Sequence, residues 1–342
     1  MALKPMEIKE LVNDLNYEAP YLNNLYIVYK SIDNIDYLVY AKKTDIIFFN
    51  LNTNTKQIAL KNAHNSQIAN FNHYGDSKNK RDLILSLSSF DNNIKLWNGN
   101  TFECIYNFTN IFQNGRLFSA CFLENKDKIY ILANDFHLIL LQSSGIKVFD
   151  IDGKFLNIIN TSSGNWMTVS VIETFYDDEL NKNFIITGGV DFCKSFDFEK
   201  NEEYKKYKDS DGTGMGIVYC FNIFIYKSEG KVRLMDTNTL GNIRIWDFHS
   251  SELLNKICTG LHDLSPCLWN EQYLLYGGKK YVIEIYDLNK KKNVYSLFNY
   301  NENEQKTILN LKKINHPLYG TCLIFFDKNS IKLSQIIERE SK

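Results

Sequence analysis

One five-residue phrase recurs along this chain, and its spacing limits the possible folds more than any other property. In its fullest form it reads Ile94-Lys95-Leu96-Trp97-Asn98, an alternating strand closed by an aromatic and a polar residue. It returns as Ile243-Arg244-Ile245-Trp246-Asp247 and, in softer form, as Ile46-Ile47-Phe48-Phe49-Asn50, Ile146-Lys147-Val148-Phe149-Asp150 and Ile283-Glu284-Ile285-Tyr286-Asp287. A weaker copy is Cys193-Lys194-Ser195-Phe196-Asp197, and a last one, Ile331-Lys332-Leu333-Ser334-Gln335, keeps the strand but loses the aromatic. The marker positions 49, 97, 149, 196, 246, 286 and 334 lie 40 to 52 residues apart. Seven marks at so even a spacing imply seven copies of one structural unit.

Each interval holds four short strand signals. In the second they fall at 67–72, 83–88, 94–98 and 103–108, and in the sixth at 265–269, 273–278, 282–288 and 293–298. Four short antiparallel strands cannot bury both of their faces alone, so neighbouring units must stack face to face. Stacking that closes into a ring removes the open ends. The expected fold is therefore all-β, a seven-bladed propeller of four-stranded antiparallel blades. Aromatic residues make up 14% of the 342 residues, which suits strands, and only 4 prolines argue against long disordered segments.

The two ends of the chain bear on ring closure. Residues 305–337 supply three strand signals, at 308–312, 321–326 and 331–336, leaving one place in the last blade unfilled. Residues 1–20 stand apart as an N-terminal extension. Ile8, Leu11, Val12 and Leu15 recur at helical spacing ahead of Pro20, which predicts a short amphipathic helix; the vacancy in the last blade predicts instead a ring-closing strand. The expected organisation is this extension, a single propeller over 21–337, and a tail at 338–342.

The phrase, the period and the four-strand grammar together resemble the WD40 β-propeller family, over roughly residues 21–337. The literal Trp-Asp dipeptide stands at Trp246-Asp247, and softened versions stand at Trp97-Asn98, Phe149-Asp150, Phe196-Asp197 and Tyr286-Asp287. The family's Gly-His pair is degraded to Ala63-His64 and to Gly260-Leu261-His262. The resemblance implies a hydrogen-bonded network inside the second blade, made by His64, one of Ser86 or Ser88, Asp91 and Trp97. A serine, a histidine and an aspartate also suggest nucleophilic catalysis, but a network ending on an indole donor is a way of satisfying buried polar groups. The resemblance further implies docking on the face carrying the loops before the first strand and between the second and third strands of each blade.

Composition bounds the function. A formal net charge of −1 exerts no global pull on nucleic acid or an acidic membrane. Seven scattered cysteines without a Cys-x-x-Cys pair suggest reduced thiols rather than zinc or disulfides. No apolar leader or membrane-length run is present, so a cytoplasmic or nuclear location is expected. The glycine-rich segment 209–216 offers Asp209 and Asp211 to a cation but lacks phosphate-loop spacing and a full ligand set. The six histidines fall in different units, without metal spacing.

The expected function is a non-enzymatic scaffold or peptide-binding subunit of a larger assembly, with no catalytic residue, cofactor or metal assigned. Candidate partner-binding residues are Phe90, Trp166, Phe192 and Tyr281, with Met215 as an adaptable contact. The alternatives are an enzyme or ligand-binding protein using the central channel, or recognition of phosphate, lipid headgroups or RNA by Lys42-Lys43, Lys279-Lys280 and Lys290-Lys291-Lys292.

Overall fold

A computed structural model describes residues 2–13, 15, 25–112, 116–136, 145–161, 169–189, 192–209, 220–262, 264–278, 282–297, 307–327 and 329–339. They form seven separate four-stranded antiparallel sheets, arranged as the blades of a propeller. Blade 1 contains Tyr26–Lys30, Asp36–Lys42, Asp45–Asn50 and Thr55–Leu60. Blade 2 contains Asn70–Asp76, Arg81–Ser88, Asn93–Asn98 and Cys104–Phe108. Blade 3 contains Arg116–Asn125, Lys128–Phe136, Ile146–Asp150 and Phe155–Ile159, and blade 4 contains Val169–Asp177, Lys182–Gly189, Phe192–Asp197 and Glu202–Lys208. Blade 5 contains Cys220–Ser228, Lys231–Asn238, Asn242–Asp247 and Leu253–Cys258, and blade 6 contains Ser265–Leu268, Tyr273–Gly277, Ile283–Asp287 and Lys292–Leu297. Blade 7 is built from Ile308–His316, Gly320–Asp327, Ile331–Arg339 and, as its outermost strand, Ala2–Val12.

The recurring phrase is the third strand of each blade, and its last two residues do separable jobs. In the first six blades the register shifts at the aromatic position, between Phe48 and Phe49, Leu96 and Trp97, Val148 and Phe149, Ser195 and Phe196, Ile245 and Trp246, and Ile285 and Tyr286. Each shift leaves one extra residue on the facing fourth strand, Gln57, Ile105, Leu156, Tyr204, Leu254 and Val294 in turn, the signature of a β-bulge. The next residue then caps the turn. The side-chain Oδ1 atoms of Asn50, Asn98, Asp150, Asp197, Asp247 and Asp287 accept backbone N–H groups two to four residues on, at 2.8 to 3.2 Å. The seventh copy needs no such cap. Its third strand runs straight through Gln335 to Arg339, because the fourth strand arrives from the other end of the chain.

That arrival corrects the helical reading of the N-terminus. Residues 2–12 form an antiparallel strand, with Ala2 opposite Arg339, Ile8 opposite Ser334 and Val12 opposite Ile331. Register shifts between Pro5 and Ile8 and between Glu10 and Val12 interrupt its alternation. Apolar residues at 8, 11 and 12, in a strand whose register shifts twice, and at 15, beyond its end, thus mimic a helical period. Leu11 and Val12 pack against the core shared by blades 7 and 1, Leu15 is fully buried, and its N–H donates to the Asn329 carbonyl at 3.0 Å.

Strand ends differ from expectation by a few residues. The first strand of blade 2 starts at Asn70 rather than 67, because Ile68 donates its N–H to the Lys43 carbonyl of blade 1. The blades are joined by apolar clusters that span their interfaces rather than by one central core. Between blades 7 and 1, Tyr26 stacks on Phe326 at 6.4 Å, and its hydroxyl donates to the Ile324 carbonyl at 3.1 Å. Between blades 5 and 6, Asn222 Nδ2 donates to the Leu264 carbonyl at 2.7 Å. Among the described residues no helix is long and apolar enough to cross a membrane.

Candidate interaction surfaces

The network in blade 2 is buried and internally satisfied. His64 Nε2 lies 2.7 Å from Ser86 Oγ, which also accepts the Trp97 Nε1–H at 2.8 Å. His64 Nδ1 lies 3.2 Å from Asp91, whose carboxylate also accepts the backbone N–H of Asn65 and of Asn93. Ser86, not Ser88, is the hydroxyl involved. It is fully buried and occupied by the indole, so its oxygen is not presented to a substrate.

Blade 5 solves the same problem with charge. Asp236 occupies the place of Ser86 and accepts Trp246 Nε1–H at 2.6 Å, together with Arg244 Nε at 2.8 Å and Nη2 at 2.7 Å. Cys193 and Cys220 bring their sulfurs to 3.1 Å beside it, and these three ligand atoms lie within 4.8 Å of one another. The guanidinium already stands where a cation would neutralise Asp236. Burial pushes the Cys193 thiol well above its usual range, away from the thiolate a metal needs.

The innermost strands carry two further shielded charges, Glu173 of blade 4 and Lys312 of blade 7, the latter donating from Nζ to the Tyr26 carbonyl at 3.3 Å. Glu173 of blade 4 is pushed up to about 7 by burial, partly offset by Lys312 of blade 7. Lys312 is pulled down to about 8, again by burial, with Glu173 opposing. Folding therefore favours protonated Glu173 between its unfolded value of 4.5 and about 7, and stability falls as pH rises through that window. It favours neutral Lys312 between about 8 and 10.5, and stability recovers as pH rises there. A Glu173→Gln, Lys312→Met variant is expected to exceed the wild type in stability by ~1–4 kcal/mol at pH 7.5, since charges held away from water are often outdone by neutral groups of similar volume. The gap should be widest between about 7 and 8, narrowing towards pH 4.5 as Glu173 takes up its proton and towards 10.5 as Lys312 loses its own; urea midpoints showing a gap independent of pH would refute the role of these two charges.

The upper face carries the loops between second and third strands and those joining blades. Phe90 sits there at 63% exposure, with the Arg116 guanidinium 5.1 Å from its ring centre, and Leu240 occupies the corresponding turn of blade 5 at 59%. Phe192 is half-buried beneath two ammonium groups, Lys206 at 3.8 Å and Lys194 at 5.6 Å. Trp166, Met215 and Tyr281 lie outside the described residues. Asp209 is held by Lys256 at 2.7 Å, and Asp211 lies outside the described residues. Lys42 and Lys43 stand at an upper turn whereas Lys290–Lys292 stand at a lower one, so these two lysine clusters do not share a face; Lys279 and Lys280 lie outside the described residues.

Two surfaces escaped the sequence reading. One is a cavity of about 820 Å³ on the lower face, where blades 2, 3 and 4 meet around the turn at 125–128. His73 forms part of its wall, stacked on Tyr29 at 3.9 Å and bonded through Nε2 to Asp82 at 2.9 Å. Burial lowers the His73 pKa despite that carboxylate, so the ring is neutral at pH 7. The lining residues come from the lower ends of strands in blades 2, 3 and 4 and from the turns beside them.

The other surface lies on the outer rim. Fourth strands are edges with unpaired backbone groups, and charge normally guards such edges. Blades 1, 4, 5, 6 and 7 carry charged residues there, among them Lys56, Lys205, Lys256, Lys292 and Lys9. Cys104–Phe108 of blade 2 and Phe155–Ile159 of blade 3 carry none. Ile105, Tyr106, Phe155, Leu156 and Ile158 are 38–49% exposed along them. The Tyr106 ring lies against Gly153, where any Cβ would come within 2.1 Å of it, so the two edges adjoin.

The protein is thus a seven-bladed β-propeller of antiparallel blades, with an architecture consistent with the WD40 type. No protein-family model matches the sequence, and no curated protein matches it.

Proposed function

We propose that this propeller is a non-enzymatic scaffold of the cytoplasm or nucleus, a monomeric ring that docks polypeptide partners within a hetero-assembly. The observation carrying this reading is the pair of adjoining uncharged edges on blades 2 and 3. Each exposed apolar side chain there gains ~1 kcal/mol on being covered, and the free backbone groups accept an added strand. The occupant that fits is an extended, apolar segment of a partner protein. Phe90 and Leu240 on the upper face offer further anchors on rigid turns.

Leu156→Lys combined with Ile105→Lys gives these edges the charge that guards the others. The variant should keep its thermal midpoint, because exposed substitutions usually change stability by less than ~0.5 kcal/mol. It should also lose the partner that a tagged wild-type chain captures stoichiometrically from its native lysate. Undiminished capture would overturn the assignment of the docking surface.

A further inference from the structure

Two buried thiols meet across the seam between blades 4 and 5. Cys193 lies in the third strand of blade 4, and Cys220 opens the first strand of blade 5. Their sulfurs stand 3.1 Å apart, both side chains are shut off from solvent, and neither is bridged.

The backbone is shaped to allow this approach. Cys193 faces Gly188 on the adjoining strand of its own blade. A Cβ at Gly188 would come within 3.0 Å of both the carbonyl oxygen and the sulfur of Cys220. Any larger residue there would push the first strand of blade 5 outward, and the Cys220 sulfur with it. The missing side chain is what lets the two thiols touch.

The surroundings also tolerate the loss of the thiol hydrogens. Cys193 bonds to Asp236, but that carboxylate already accepts Nε and Nη2 of Arg244 and the indole N–H of Trp246. Removing the thiol hydrogen therefore leaves no buried charge unpaired. The same three donors keep Asp236 from serving a metal, so the chemistry left to the sulfurs is with each other.

We propose that Cys193 and Cys220 form a reversible disulfide when a hydroperoxide oxidises them, stapling blade 4 to blade 5. One sulfur attacks the peroxide as its thiolate. The O–O bond breaks, leaving a sulfenic acid and a hydroxide that takes up the proton the thiol gave. The second sulfur then attacks the sulfenic sulfur. An S–S bond forms, the S–O bond breaks, and the hydroxide leaves as water with the second thiol's proton. With hydrogen peroxide, two thiols give up two electrons and the oxidant becomes two waters. The sulfurs need only close from 3.1 Å to about 2.05 Å. Burial holds the Cys193 thiol up, so the bridge forms slowly and records sustained oxidant rather than brief contact. In a reducing compartment such a bridge is a transient, redox-sensing one. The inference concerns the ring itself and is independent of any docking surface.

The test exposes the reduced, folded, full-length chain to hydrogen peroxide, then alkylates it and digests it with trypsin without reductant. The expected product joins peptides 183–194 and 209–227, which carry Cys193 and Cys220, and dithiothreitol separates them. The bridge spans 27 residues, so the oxidised chain should melt ~3–6 °C above the reduced one. Cys193→Ala should show no such difference between its own oxidised and reduced forms, whatever its basal stability. Recovery of both cysteines alkylated, of Cys193 linked elsewhere or carried on to sulfinic acid, or of an equal shift in the variant, overturns the disulfide.

Discussion

Deleting residues 2–12 is expected to dismantle the ring. Ile331–Arg339 would lose its outer partner along nearly its whole length, and the core shared by blades 7 and 1 would lose Leu11 and Val12. The last blade would become a three-stranded sheet with a newly bared edge at the seam where the two chain ends meet. We expect the thermal midpoint to fall by at least ~10 °C, corresponding to about 7 kcal/mol in a chain of this size. A synthetic peptide of residues 1–15 added in trans should restore the midpoint in a concentration-dependent way, since it binds the folded ring and not the unfolded chain. An unchanged midpoint after deletion would show that the seam does not hold the ring together.

Asp236→Asn is expected to have the next largest effect. The substitution keeps size and shape but leaves the Arg244 guanidinium, only 3% exposed, without its counter-charge. Breaking a buried pair from one side costs ~3–5 kcal/mol, more than the pair itself contributes, because the remaining charge stays desolvated. Blade 2 indicates how to rescue it. There a neutral hydroxyl, Ser86, accepts the indole N–H, while Lys95 at the position of Arg244 donates instead to the Ala63 carbonyl. Asp236→Ser with Arg244→Met removes both charges and keeps an acceptor for Trp246. This double variant should unfold at clearly higher urea than Asp236→Asn alone; equal midpoints would mean the charge pair is not what the single change breaks.

Much of this architecture could be read in the residues. Third strands were marked by alternation ending in an aromatic and an Asp or Asn, and that ending reports a local event, a bulge followed by a capped turn. Local events leave local signatures. The weakened seventh copy also carried information, since Gln335 stands where the chain does not turn. The network of His64, Asp91 and Trp97 was legible through resemblance, and the structure selected Ser86 over Ser88 by the 2.7 Å and 2.8 Å contacts at its oxygen.

What the sequence by itself determined is therefore the unit, its count and its internal turns, because strand periodicity and turn capping act over a few residues. Tertiary structure decided everything that depends on pairing between distant segments. Ile8, Leu11, Val12 and Leu15 fit a helix until a partner more than three hundred residues away fixed them as a bulged strand and its continuation. Arg244 read as one more alternating position until the neighbouring strand placed Asp236 beneath it. Glu124 and Asp127 belong to one hairpin of blade 3 and Glu199 to a turn of blade 4, and only the convergence of blades makes them one cavity. The exposed edges of blades 2 and 3 were likewise invisible, since alternation shows that a strand exists but not which of its sides the fold leaves open to solvent.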